Sequence, residues 1–431
     1  MSLFGLALLL PLAGSPDFIV NAAVRAETRG GMIPYAVGAP ASEAIDLELL
    51  PQARLALQHD DGRLTLGYGP RLFRRFINLP EAQAQVTNTD RFLVLHSLDA
   101  GYRHILSRSW SANATGSWQR GESDYGALTT QVGGTSGSGT SGSGTSGSSG
   151  GSATSANNGS AALIALSTLL GTVGLEGALD STQRISFGGQ IIEVRSIGDQ
   201  TGGLRVPRSL TIGGNAAWEL ALTRVDLLRL AANVDVVKFD ALDNQPALDF
   251  RNVSLLGGLE RALTDTARLG GQLGLLVINS EDTGTQVQPI GALAFSFSPI
   301  QTRNVRGEAN ITVGVDGFAN PLLGAFQTRL NAGVGMRITV PPDWSFGLNG
   351  TLVTPIDEQA SGAAAITDNL LGQTVLSAAL PIAVRLDENF SLEFGGRFSA
   401  LAPRFDDPNF RLASINLVAY LAITAAVESV L

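Results

Sequence analysis

The chain contains no cysteine. Disulfides, thiolate-bound metals and cysteine nucleophiles are therefore excluded. Charge is scarce: Asp, Glu, Lys and Arg make up 16% of the 431 residues, against about a quarter in soluble domains. The formal net charge is −9, and no basic patch with interleaved aromatics offers a surface to nucleic acid. Histidine is limited to His59, His96 and His104. The first lies in a predicted tight turn and the third at a predicted strand end. His96 neighbours Ser97, but adjacent strand residues point to opposite faces. No Ser–His pair with an orienting third group emerges, so no enzymatic activity is expected. Neither a metal site nor a cofactor is expected.

Long apolar runs are missing too. No stretch of eighteen apolar residues occurs, which leaves spanning helices without support. Glycine breaks the pattern of scarcity, at 51 residues. A Gly-rich, low-charge chain with thinly spread hydrophobicity has the composition of a transmembrane β-barrel.

What the sequence does have is alternation, clearest from Asn304 to Leu352. Val305, Gly307, Ala309, Ile311, Val313 and Val315 alternate with Arg306, Glu308, Asn310, Thr312 and Gly314. Phe326, Leu330, Ala332, Val334, Met336 and Ile338 then share a register, as do Trp344, Phe346, Leu348 and Leu352 after Pro341-Pro342-Asp343. Period two means strands with one apolar and one polar face. Runs this long suit tilted strands crossing a bilayer, which need about 9–11 residues.

The same reading extends along the chain. Leu3–Leu12 followed by Ala13-Gly14-Ser15 reads as a signal peptide over residues 1–15. A first strand covers Asp17–Arg29, and a loop with Gly30-Gly31, Pro34 and Pro40 follows. Ala53, Leu55 and Leu57 lead into a tight turn at His59-Asp60-Asp61-Gly62. Trp110, Ala112, Ala114, Gly116 and Trp118 form the cleanest row of the first half. Residues 132–160 are almost wholly Gly, Ser, Thr, Ala and Asn, a tract unable to bury a core. We place it in one long extracellular loop at about 121–163 within a single barrel of residues 16–431.

Beyond it, tight turns are expected near Asp180–Gln183, Thr223–Val225, Thr264–Ala267, Pro299–Thr302, Pro341–Asp343 and Asp387–Asn389. Longer loops are expected at Gly198–Pro207, Asp240–Asp249, Asp316–Gly324, Asp357–Gly372 and Pro403–Pro408. Alternating short and long connections suit an outer-membrane barrel with periplasmic turns and extracellular loops. The expected fold is all-β: a transmembrane antiparallel up-and-down β-barrel of about 18 strands. Weak alternation at 50–58 and 164–179 leaves about 16 as the alternative count.

The rows Trp110–Trp118, Phe326–Ile338, Trp344–Leu352 and Phe390/Leu392/Phe394/Phe398 resemble the lipid-facing rows of bacterial outer-membrane porin-type barrels. In strand number the chain is similar to eighteen-stranded barrels associated with exopolysaccharide export. Outer-membrane barrels of this kind usually end on an aromatic residue, whereas this chain ends Glu428-Ser429-Val430-Leu431. The resemblance implies the bacterial outer membrane, its lipid as a partner, and a permeating solute or polysaccharide. In the second case periplasmic export components are implied too.

The apolar face of such strands must look at lipid. Trp110, Trp118, Trp218 and Trp344 occupy that register and are expected at the lipid interface. The polar face is the expected lumen. Its candidates are Arg229, Asp235, Glu260, Arg268, Arg306, Glu308, Arg329, Arg337, Arg385, Glu393 and Arg397, with Arg25, Glu27, Asp99, Arg103 and Glu219 before them. Arg306, Arg329, Arg337, Arg385 and Arg397 are expected to form a basic ladder along one wall. The function expected is a channel for hydrophilic solutes or an exported polysaccharide. The alternative is a structural or adhesive barrel acting through its outer loops. The oligomeric state is left open.

Overall fold

The computed structural model describes residues 17–34, 41–77, 92–124, 163–197, 207–241, 247–281, 284–302, 305–320, 325–341, 343, 344–359, 374–402 and 413–430. The expected signal peptide and almost all of the Gly/Ser tract's loop lie outside the described residues. The first strands are β1 (Asp17–Pro34), β2 (Ala41–His59), β3 (Gly62–Tyr68), β4 (Arg71–Ile77), β5 (Leu93–Ile105) and β6 (Trp110–Asp124). Then come β7 (Leu163–Ala178), β8 (Gln183–Ser196), β9 (Ser209–Ala221), β10 (Asp226–Phe239), β11 (Leu248–Thr264) and β12 (Ala267–Ser280). The rest are β13 (Gly284–Gln301), β14 (Arg306–Asn320), β15 (Ala325–Val340), β16 (Trp344–Gln359), β17 (Thr374–Arg385), β18 (Phe390–Ala402) and β19 (Ala413–Val430).

Apart from β3 and β4, which each pair with β2 and β5, every strand pairs antiparallel with its neighbours in sequence, and β1 pairs with β19, so the sheet closes on itself. The closing ladder runs from Ile19↔Val430 to Met32↔Leu417. The nineteen segments make eighteen staves, because β3 and β4 are two halves of one. β2 pairs with β3 through Ala53–His59 and with β4 through Ala44–Leu49. The interruption falls where Pro51 faces Gly69-Pro70. Neither proline has an N–H to donate to the ladder. Gly69 instead donates its N–H to the Ser97 carbonyl at 2.9 Å.

Connections alternate in length as the barrel requires. The short end carries turns such as Asp180, whose carboxylate accepts from the backbone N–H of Thr182 at 2.7 Å and of Gln183 at 2.8 Å. These bonds, that from Thr182 first, hold its carboxyl below the usual range. Both ends of the sheet, Asp17 and Val430, lie on this short-turn side.

Alternate residues face outward, and the outward set is apolar. Leu255, Leu273, Leu293 and Val427 are each more than 60% exposed. On β6 the outward row runs from Trp110 to Trp118 and turns charged at Arg120 and Glu122; on β10 it runs from Leu228 to Val236 and turns charged at Lys238. Nine residues of tilted strand rise roughly 20 Å, close to the apolar band of about 25 Å in outer-membrane barrels. The four tryptophans share the outward register. Trp110 and Trp344 open their strands at the short-turn rim, and Trp110 lies across Gly177 of β7. Trp218 stands three residues from that rim and donates its indole N–H to Gln183 at 3.1 Å. Trp118 sits inside β6, at the other limit of its apolar row. Just beyond it, Gly121 has φ of 148° and presses against the Val94 carbonyl, a position with no room for a side chain.

Several boundaries differ from expectation. β1 runs on through Gly30-Gly31 to Pro34 and β2 begins at Ala41, so most of the expected loop after Arg29 is strand. The long loop narrows, since β6 continues to Asp124 and β7 begins at Leu163. β13 continues through Pro299 to Gln301, helped by a register shift between Phe297 and Ile300. β14 extends to Asn320, which takes Asp316 out of the expected loop.

Replacing Leu273, outward and near the middle of β12, by lysine is expected to cost about 2–4 kcal/mol of folding stability in a bilayer. Gln272→Lys, one residue away on the inner face, is expected to cost less than about 1 kcal/mol. Equilibrium unfolding from lipid vesicles measures both; equal costs would contradict the facing.

Candidate functional site

The inward face begins with β1, where Arg25, Glu27 and Arg29 point the same way at period two. Their neighbours on that face are Asp46 and Glu48 of β2, Arg71 of β4, Glu393 and Arg397 of β18 and Tyr420 of β19. Together they form one ionic network. Arg25 donates to Glu393 and to Glu27, each at 2.9 Å. Arg397 reaches Glu27 across β19 at 3.2 Å. Arg29 joins Glu27 to Glu48, and Arg71 holds the other oxygen of Glu48 at 2.6 Å. The Tyr420 hydroxyl donates to Glu393 at 2.9 Å, while the Arg397 guanidinium lies 4.2 Å from the Tyr420 ring centre. Glu27 is the hub, with its side chain 2% exposed. Four guanidiniums face four carboxylates here, and a buried charge persists only when paired in this way.

The wall nine staves away is built from the opposite chemistry. Val237 and Phe239 of β10, Phe250 of β11, Leu276 and Ile278 of β12 and Ile290 of β13 form a buried apolar cluster on the inward face. Phe326 of β15 joins it, its ring 6.0 Å from that of Phe250 although their strands are four apart in the wall. The end of the β14–β15 hairpin is therefore folded in. Residues on both faces of the strand, Phe326 to Arg329, are buried there, and a register shift between Thr328 and Arg329 marks the bend. Thr328 bonds Gln288 of β13, and Arg329 pairs with Asp316 at 3.0 Å. The hairpin narrows the long-loop half of the lumen.

Toward the short turns the wall is polar and open. A cleft of about 430 Å³ is lined by Asp265, Arg268, Ser296, Glu308, Arg337 and Asn349, among others. Arg306, Glu308 and Arg337 are exposed although they share the inward register. Other inward charges find partners one or two strands away. Glu219 stands 3.7 Å from Arg229, Glu260 stands 3.6 Å from Arg268, and Asp235 accepts from Gln190 at 3.1 Å.

The strand register puts all eleven candidate residues on one face, but it does not make a basic ladder. Arg397 belongs to the ionic network and Arg329 to the folded hairpin. Arg306 and Arg337 lie toward the short-turn end, on β14 and β15. Arg385 closes a turn by donating to the carbonyls of Asp387 and Glu388. Arg329, Arg385 and Arg397 are each held by a nearer anion or carbonyl, while Arg306 and Arg337 stay exposed. The lumen candidates did not include Arg29, Asp46, Glu48, Arg71 or Tyr420. Ile45, Leu47 and Leu49 do alternate with Asp46 and Glu48, but Leu50-Pro51 cuts the pattern short. The folded hairpin has no sequence signal, since its Phe326 sits in an ordinary outward register.

No family model matches the chain, and no curated protein matches it in sequence. Solved structures do resemble it in outline. The siderophore receptor PirA from Pseudomonas aeruginosa aligns at 10% identity, over 95% of this chain and 80% of its own, with a TM-score of 0.44. OccAB4 of Acinetobacter baumannii aligns at 8% identity over 97% and 100% of the two chains, with a TM-score of 0.43. OpdQ of Pseudomonas aeruginosa aligns at 11% identity over 96% and 98%, with a TM-score of 0.41.

Glu27→Ala leaves its arginines short of one anion and is expected to destabilise the barrel by about 3–5 kcal/mol. Adding Arg397→Ala is expected to cost less than the two single changes summed, by about 1 kcal/mol or more. Denaturant unfolding of the four proteins in the cycle measures this, and strict additivity would contradict the network.

Proposed function

We propose that the chain is an outer-membrane channel that passes small hydrophilic solutes. The observation that carries this is the division of the closed sheet into an apolar outer face and a polar, charged inner one. A soluble barrel would turn its apolar face inward, and a wall of eighteen staves encloses more space than wall side chains fill. Only a closed barrel satisfies strand backbones inside hydrocarbon, so the apolar belt sits in the bilayer and the inner face lines water. In a bacterium that bilayer is the outer membrane, with short turns in the periplasm and long loops outside.

The inward charges then act on the permeant. Lumenal charges focus the field and favour solutes of complementary charge. The exposed Arg268, Glu308 and Arg337 of the lower cleft offer both signs to a small polar solute. Outward passage of a polysaccharide has weaker support. Phe73, Phe239, Phe250, Phe326 and Tyr420, the buried inward aromatics among the described residues, are packed or held by arginines rather than arrayed as a stacking track. The role proposed is transport and not catalysis; His96 bonds the Tyr68 hydroxyl on the outer face while Ser97 faces inward.

Reconstitution in a planar bilayer tests this. The expected result is a stable open conductance for the native chain. Glu27→Gln removes a negative charge from the lumen, so its reversal potential in a salt gradient is expected to shift toward anion selectivity. Absence of conductance from a correctly inserted barrel would overturn the channel and favour a structural or adhesive barrel.

A further inference from the structure

One feature of the outer wall lies outside the permeation path. At the long-loop limit of the apolar belt, direct register partners on four adjacent strands are His96, Arg120, Ser167 and Arg195. All four are outward by alternation, and His96, Arg120 and Arg195 are exposed. Arg120 and Arg195 have no acidic partner among the described residues, in a chain whose net charge is −9. Arg208, the next cation along the rim, is occupied by Glu193 at 2.8 Å and Asp240 at 3.5 Å. Glu193, two residues from Arg195 on the same face, is thereby paired with Arg208.

The two free guanidiniums flank a gap. Their backbones are two strands apart, about 10 Å, and the residue between them is the small, buried Ser167. Arginine side chains are long enough to span such a gap. A pair of planar guanidiniums recognises phosphate oxygens bidentately. Immediately below the row stand Leu98, Trp118 and Leu169, with Glu193, the register partner of Leu169, at the Arg195 end; farther down, Val173 of β7 is exposed. Tryptophan at that level marks the headgroup boundary. Phosphate-binding cations directly above acyl-chain contacts fit one kind of ligand.

We propose that Arg120 and Arg195, with Ser167 between them and His96 beside them, form a site for the phosphorylated headgroup of an outer-leaflet lipid. Its acyl chains lie along Trp118, Leu169 and Val173. The site rests on the outer-membrane reading above but not on the channel being open. A surface cation near an anionic lipid contributes enough that two of them alter occupancy about tenfold or more.

The test uses the full chain refolded in detergent micelles and incubated with bis-phosphorylated lipid A, dephosphorylated lipid A, or inorganic pyrophosphate. The readout is the amount retained after gel filtration, for the native chain and for R120Q/R195Q. The expected result is retention of bis-phosphorylated lipid A that falls about tenfold in the double variant, with little retention of the dephosphorylated form. Equal retention by both proteins, or of both lipids by the native chain, would overturn the site. Displacement of the lipid by equimolar pyrophosphate would also overturn it, by making a free anion the ligand. Both proteins are expected to keep the heat-modifiable gel shift of a folded barrel and the same bilayer conductance. Loss of the shift in the double variant is answered by R120K/R195K, which must then restore lipid retention. Lack of the shift in the native chain would refute the barrel itself and not only the site.

Discussion

The constraint on which everything else depends is that strand backbones in hydrocarbon have no water to bond. Every N–H and C=O must find another strand, which forbids a free edge and forces β1 onto β19. Closure fixes the parity of the staves and puts both ends of the sheet on the short-turn side. It also explains the one flaw in the wall. At Pro51 and Pro70 two missing donors meet, so the ladder between β2 and its neighbour is lost at a single level instead of at two. The break sits next to Arg71, the outermost cation of the ionic network, which fastens β4 to β2 through Glu48 where backbone bonds do not.

With the backbone satisfied, side chains are free to divide labour by face. Outward positions need only be apolar, so Leu, Val, Ala and Gly interchange there without a recognisable motif. Inward positions are under a different rule, because charge there is cheap where water reaches and costly where it does not. The structure shows both regimes. Near the short turns Arg306, Glu308 and Arg337 stay exposed. Farther up, Glu27 and Arg29 are buried, and each is held by charges on two or more strands. Facing them, Phe250 and Ile278 are buried against a hairpin end that bends inward. The lumen is therefore unlike on its two sides: ion pairs brace the wall where the barrel closes, and apolar packing braces the far one.

Much of the wall was legible in the sequence because period two is a local property. β14, β15 and β16 announce their faces nearly residue by residue, and all eleven inward charges fall in the polar register of their own strands. Boundaries were less legible. Ile45, Leu47 and Leu49 mark a strand, but Leu50-Pro51 looks like its end, and only the pairing with β1 carries the strand through. The partners of the charges were not legible at all. Glu27 meets Arg397 because the chain closes, joining residues 370 apart in sequence, and no spacing rule anticipates that. Phe326 reads as an outward residue of β15, and it is the bend at Thr328–Arg329 that buries it.

The absence of cysteine makes the central claim, that alternate residues face lipid and water, open to a direct measurement. Single cysteines at Ala309, Asn310, Ile311 and Thr312 of β14 would be introduced one at a time into the barrel inserted in vesicles. Each would then be challenged with a membrane-impermeant maleimide. The account predicts labelling at 310 and 312, which are inward and exposed, and protection at 309 and 311. Labelling that is uniform, or that favours 309 and 311, would contradict it.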